Sequence, residues 1–282
     1  KRQKRTTKRN THKNKKMKTI KLNKVEHNTT IGEKCPYYEP NIKEDCFLEL
    51  DGEIIGFYIS DISKYSKKLS LLLAVADKEF RSDNVPKSLM NSRLLTKGYD
   101  DKGKAIYQYN SRQYSTILGS IAPKAHLRRP YPTISSTHRE KKAKTFIKAM
   151  WGSCLIGEEI IKKLTPKIYK RQKELFEDIK KDWRFGTMYT SSISNFNISA
   201  DYHLDRNNIK ETVNIIFTKR NNSKGGCLNV PDYNVTFEQS DNSMLVYPAW
   251  RNVHGVTPIK KTSDNGYRNS LIFYGLKAFK GI

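Results

Sequence analysis

The sequence predicts an α+β protein whose C-terminal half is an antiparallel, jelly-roll-like β body with helices laid on one of its sheets. Three observations predict it. Apolar residues recur at three- and four-residue spacing over residues 137–181, short runs rich in β-branched and aromatic residues follow Trp183, and pairs of turn-forming residues punctuate those runs. A chain of 282 residues can bury one sizeable core, so one main domain with decoration is the expected organisation.

Residues 1–30 read as a disordered basic arm. Up to Lys24 they are dense in Lys, Arg, Thr and Asn and offer almost nothing to bury against the entropy of ordering. Such an arm grips phosphates, directs nuclear import or is simply solvated. Residues 31–135 read as a mixed α/β extension, with a hairpin alternating about Asp51-Gly52 in 47–59 and helical periodicity over 68–80. Within it, Arg128-Arg129-Pro130-Tyr131 reads as a surface loop, with contact to a phosphate or a cosubstrate carboxylate as the alternative.

Residues 136–282 read as helices followed by the β core. Phe146, Met150, Leu155, Ile160, Ile161, Leu164, Ile168, Leu175, Phe176 and Ile179 mark two or three packed helices, interrupted near Gly152 and Pro166. Strands are expected in 212–218, 227–237, 243–247 and 270–279, between the turn pairs Gly225-Gly226, Asp241-Asn242 and Asn265-Gly266. Gly225-Gly226 with 229–233 makes either a substrate loop or a hairpin turn.

A formal charge of +25, from 53 Lys and Arg against 28 Asp and Glu, points to a polyanionic partner, nucleic acid first. A merely basic composition without a bound partner is the plain alternative. Cys35, Cys46, Cys154 and Cys227 lie far apart with no C-x-x-C, which speaks against a zinc ribbon or a disulfide framework. No apolar run approaches the ~20 residues of a membrane span. An intracellular monomer, in nucleus or cytoplasm with access to DNA, is expected. The absence of a P-loop and of G-x-G-x-x-G leaves nothing pointing to nucleotide hydrolysis or hydride transfer.

Two of the six histidines stand out. His203 and Asp205 are two apart, so on extended backbone they project to one side, and a later strand can bring His254 beside them. Two imidazoles and a carboxylate leave three positions open, which suits non-haem Fe(II) better than structural zinc. A hydrogen-bonded histidine beside a surface aspartate is the other reading of an isolated H-x-D. Downstream, Arg268-Asn269-Ser270 offers a guanidinium fork and a hydroxyl, a fit for the distal carboxylate of a dicarboxylate such as 2-oxoglutarate.

With these residues in hand, roughly 185–280 resembles the TET/J-binding-protein (TET/JBP) family of Fe(II)- and 2-oxoglutarate-dependent dioxygenases, which oxidise the 5-methyl group of pyrimidines in nucleic acid. The stretch from His203 through Asn208 is similar to the family's H-x-D-x-x-N block, His254-Gly255-Val256 to its second-histidine segment, and the run from Arg268 to Tyr274 to its R-x-S-L-x-F-Y strand. The resemblance implies a double-stranded β-helix (jelly-roll/cupin-like) core. It further implies Fe(II) ligation by His203, Asp205 and His254, 2-oxoglutarate binding by Arg268 with Ser270, and base contacts by Asn208 and Tyr274. O2 as cosubstrate, ascorbate as reductant and DNA with its target base flipped out follow from it. The implied product is 5-hydroxymethylcytosine from 5-methylcytosine. Leu276 stands where the methylcytosine enzymes carry histidine, so thymine hydroxylation, as in the J-binding proteins, is the alternative within the family. Outside it stands a non-catalytic nucleic-acid-binding jelly roll.

Overall fold

The computed structural model describes residues 17–282. In chain order come β1 (Lys18–Lys21), β2 (Cys46–Leu50), β3 (Glu53–Ile59), α1 (Lys67–Arg81), β4 (Asn91–Tyr99), β5 (Ala105–Ile121) and β6 (Thr133–Ile134). Helices α2 (Ser136–Arg139), α3 (Lys144–Leu164) and α4 (Pro166–Leu175) follow, then β7 (Ser191–Phe196), β8 (Ala200–His203), β9 (Asn214–Asn221) and β10 (Ser223–Gly225). The chain continues with β11 (Leu228–Val230), β12 (Val235–Phe237), β13 (Ser243–Tyr247), β14 (His254–Val256), β15 (Ile259–Lys261) and β16 (Tyr267–Tyr274).

Most strands join one large, mainly antiparallel sheet in the order β1-β2-β3-β13-β9-β16-β7-β5-β4, with β6 paired to β5. A smaller sheet, β12-β11-β14-β8, and a two-stranded ribbon, β10-β15, complete the β structure of the described residues. The N-terminal extension therefore widens the sheet: β1 to β3 flank it on one side, β5 and β4 on the other.

Side-chain alternation divides the core. On β9 and β13, Ile215, Phe217, Met244 and Val246 point to the layer of α1 and α3, where Leu69, Leu73, Phe80, Phe146 and Met150 meet them. Their neighbours Ile216, Leu245 and Tyr247 point the other way, onto Leu228, Val230 and Phe237 of the small sheet. The expected placement of helices over one sheet is what this pattern produces. The 47–59 hairpin is also present: Asp51 and Gly52 both take positive φ (51° and 81°), the backbone a tight turn between twisted strands requires.

Three expectations need correction. The part of the supposed arm beyond residue 17 is not free, because β1 pairs in parallel with β2 and Leu22 is buried, while residues 1–16 lie outside the described residues. Gly152 does not interrupt a helix: α3 runs straight through it, and a Cβ there would lie 3.0 Å from Leu72 Cδ1. The missing side chain lets α1 and α3 approach, which outweighs glycine's helix cost of about 1 kcal/mol. Finally, the strand expected in 270–279 starts earlier and stops at Tyr274, because at Gly275 the chain passes close under Phe176, where a Cβ would come within 2.5 Å of the ring.

Candidate active site

His203 ends β8 and His254 opens β14, and the two are directly opposite in the antiparallel ladder, with ring centroids 4.4 Å apart. Asp205 does not continue that strand. It sits in the turn beyond it, held by its N–H on Ala249 O (3.4 Å) and by Asn208 N–H on its own carbonyl (3.0 Å). The turn swings the carboxylate back, so that Oδ1 lies 3.7 Å from His203 Nε2. One donor atom from each of the three residues falls within 4.8 Å of the others.

The imidazoles are oriented for ligation. Nδ1 of His203 lies 2.8 Å from Asp201 O, and Nδ1 of His254 lies 2.9 Å from Asn252 O. A carbonyl only accepts, so each Nδ1 carries the hydrogen and each Nε2 keeps a free lone pair. Burial pushes the His254 pKa down, against the attraction of Asp205, which favours the neutral ring a metal needs. The second oxygen of Asp205 accepts from Asn208 Nδ2 and Asn214 Nδ2, both at 3.3 Å.

The cluster opens into a cavity of about 570 Å³ between the two sheets. Strand β16 crosses it, and its alternation turns Arg268, Ser270, Ile272 and Tyr274 inward. At the end remote from Tyr274, the Arg268 side chain is wholly buried, with only 2% of the residue exposed, and no carboxylate among the described residues pairs with it. One nitrogen, Nη2, donates to Gln239 Oε1, while Nε has no partner among the described residues. Burial and then repulsion from Arg220 push its pKa down to about 10. A desolvated guanidinium with an unmet donor is a site for an anion. Ser270 lies beside it, its Oγ 3.5 Å from Asn195 Nδ2.

Space for the guanidinium depends on Gly226, at φ +66°, where a Cβ would lie 2.5 Å from Arg268 Cδ and 2.9 Å from Nε. Gly226→Ala is therefore expected to displace the guanidinium and weaken binding of a carboxylate ligand in this cavity about tenfold or more, through loss of roughly one charge-assisted hydrogen bond; calorimetric titration checks it.

At the other end, Tyr274 and Asn208 both line the cavity. Burial pushes the Tyr274 phenol up, with the charge of Asp205 adding to it. Asn208 is buried and its amide also donates to Asn214 Oδ1 (3.1 Å). Leu276 lines the same end, its backbone bridged to Asn208. All seven sequence-derived residues thus surround one cavity. Arg128 and Arg129 do not line it, Arg129 Nη2 instead donating to Ala122 O at 2.8 Å. Of 229–233 nothing lines it either, and Asn229 is taken up by Tyr202 and Thr236. This segment joins β11 to β12 as a hairpin, whereas Gly225-Gly226 carries the chain from β10 to β11, which lie in different sheets, and makes no hairpin turn. Gln239, Asn214 and Asn195 also line it, and nothing in the sequence marks them, since each is a single polar residue on an otherwise ordinary stretch.

The family model for the oxygenase domain of the 2OGFeDO superfamily, Tet_JBP, matches residues 124–277, more than half of the chain. Among solved structures, NgTET1 in complex with 5mC DNA is similar, with a TM-score of 0.55 and 16% identity over 90% of this chain and 84% of that one. OsALKBH1 also matches, at a TM-score of 0.38 and 14% identity over 77% of this chain and 96% of that one. Comparison with the curated proteins gives no match. Donor set, anion-ready arginine and family match agree, and the chain belongs to the Tet_JBP family of 2-oxoglutarate- and Fe(II)-dependent oxygenases.

Proposed function

We propose that this protein hydroxylates the 5-methyl group of a pyrimidine in DNA, converting 5-methylcytosine to 5-hydroxymethylcytosine. The observation that carries the reading is the pairing, in one cavity, of a His-Asp-His cluster with a buried arginine that has no counterion among the described residues. His203, Asp205 and His254 would hold Fe(II). Arg268 and Ser270 would hold the distal carboxylate of 2-oxoglutarate. Bound iron, with 2-oxoglutarate and O2, supplies the oxidant for the methyl C–H bond, and ascorbate keeps the metal reduced.

The chain's own task is positioning. Asn208 and Asn214 fix the rear oxygen of Asp205, the two backbone carbonyls fix the imidazoles, and the apolar walls from Ile193, Ile272 and Val256 exclude water. Such a cavity admits a base only when it has left the stack, and Tyr274 and Asn208 stand where a flipped base would stack and hydrogen-bond. Arg206, Lys210, Lys277 and Lys280 are exposed on the segments that bear Asn208 and Leu276, and they would hold the flanking phosphates. The similarity to NgTET1, whose structure was solved in complex with 5mC DNA, supports the choice of methylcytosine.

Leu276 favours a second reading. An isobutyl group at this end of the cavity neither donates nor accepts, so it gives no help in reading the exocyclic amine of cytosine, and thymine becomes the competing substrate. Mass spectrometry of nucleosides decides between them, after incubation with Fe(II), 2-oxoglutarate, ascorbate and duplexes bearing either methylcytosine or only thymine. Hydroxymethylcytosine is the expected product; hydroxymethyluracil alone would move the assignment to thymine, and no oxidised base from either duplex would end the DNA reading.

A further inference from the structure

We infer that Gln239 is a cosubstrate-positioning residue: its carboxamide N–H donates to the distal carboxylate of 2-oxoglutarate and its carbonyl aims Arg268 at the same group. The inference rests on the reading of Arg268 given above and extends it to a residue outside every motif in the sequence. Gln239 is 1% exposed, follows β12, and lines the cavity beside Arg268. Its Oε1 accepts from Arg268 Nη2 and from Thr218 Oγ1 (3.2 Å), whereas its Nε2 has no partner among the described residues.

That asymmetry is informative. Flipping the amide would give Nε2 the hydroxyl of Thr218 as an acceptor, but it would turn an N–H toward the Arg268 guanidinium, which carries donors only. The orientation is thus set by the arginine, and it leaves a buried donor unmet. An unmet buried amide N–H costs about 1–3 kcal/mol, and Arg268 Nε is unmet as well. Two orphaned donors on adjacent groups, one of them charged, belong to residues that line one cavity. A single carboxylate satisfies both, one oxygen on the guanidinium and one on the amide, whereas a water molecule brings no negative charge to the guanidinium. Arg220 does not compete for the role, since its guanidinium is spent on the carbonyls of Gly225 (3.1 Å), Gln239 (2.9 Å) and Ser223.

The test is calorimetric binding to Mn(II)-loaded protein, without turnover, using 2-oxoglutarate and 2-oxopentanoate, which has a methyl group in place of the distal carboxylate. Gln239→Leu should weaken 2-oxoglutarate about tenfold or more, the usual loss for a hydrogen bond to a charged group, and leave 2-oxopentanoate within about twofold. A purely structural role would lower both ligands equally and overturn the inference, as would unchanged 2-oxoglutarate affinity. Gln239→Glu supplies an internal carboxylate to Arg268; this variant should melt at a higher temperature than the parent without cosubstrate and lose 2-oxoglutarate binding. If Arg268→Met also leaves 2-oxoglutarate affinity intact, the reading of the arginine itself fails; if Arg268→Met abolishes binding and Gln239→Leu does not, only the present inference fails.

Discussion

Asp205→Ala is expected to abolish both succinate release and methyl oxidation while leaving DNA affinity within about twofold, because the carboxylate lies with the two imidazoles and the substitution removes none of the exposed basic side chains. The loss should exceed about 100-fold, since altering only the groups that support a metal ligand already costs about 10–100-fold. Without Asp205, two imidazole nitrogens remain, and the Asn208 and Asn214 amides face a methyl group instead of an oxygen. Metal affinity should fall in parallel, which Mn(II) titration reads independently of turnover. A protein that only binds nucleic acid would lose neither activity nor metal, so equal behaviour of parent and variant in both assays would sink the enzyme reading.

Legibility in the sequence followed the range of the interaction. His203, Asp205, His254 and Arg268 could be read because ligand chemistry demands particular residue types, and the family's order and spacing place them. Even there the reason differed in part: Asp205 reaches the cluster from a turn anchored on Ala249, not from an extended strand. Gln239, Asn214 and Gly226 could not be read. Each acts through a partner far along the chain, and an isolated Gln, Asn or Gly looks the same in a wet loop. The helix through Gly152 was hidden for the same reason, as its justification is Leu72 on α1. The strands of the core were legible because, buried on both faces, they are short runs rich in β-branched and aromatic residues. The widening of the sheet by β1 was not, because a polar edge strand carries no apolar alternation.

Arg268→Met should separate function from stability, raising one measurement while destroying the other. Arginine here is wholly buried and unpaired by any carboxylate among the described residues, so its charge is held at a desolvation cost in the cosubstrate-free protein. The folded pKa, about 10, lies below the ordinary guanidinium value. A cation with a depressed pKa opposes folding at every pH below that value, and the opposition is relieved only as pH rises through about 10, where the folded state releases its proton before the unfolded chain does. At neutral pH the cost is therefore fully present. Methionine fills a similar volume without charge; it leaves Gln239 Oε1 with Thr218 alone, which offsets part of the gain. A net stabilisation of about 1–2 kcal/mol is expected, read as a melting temperature a few degrees higher without cosubstrate. Addition of 2-oxoglutarate should then raise the melting temperature of the parent and leave that of the variant unmoved, because the ligand stabilises only the protein that binds it. A variant that melts lower than the parent and still responds to 2-oxoglutarate would mean that the guanidinium serves the fold, and that the cosubstrate carboxylate is held elsewhere.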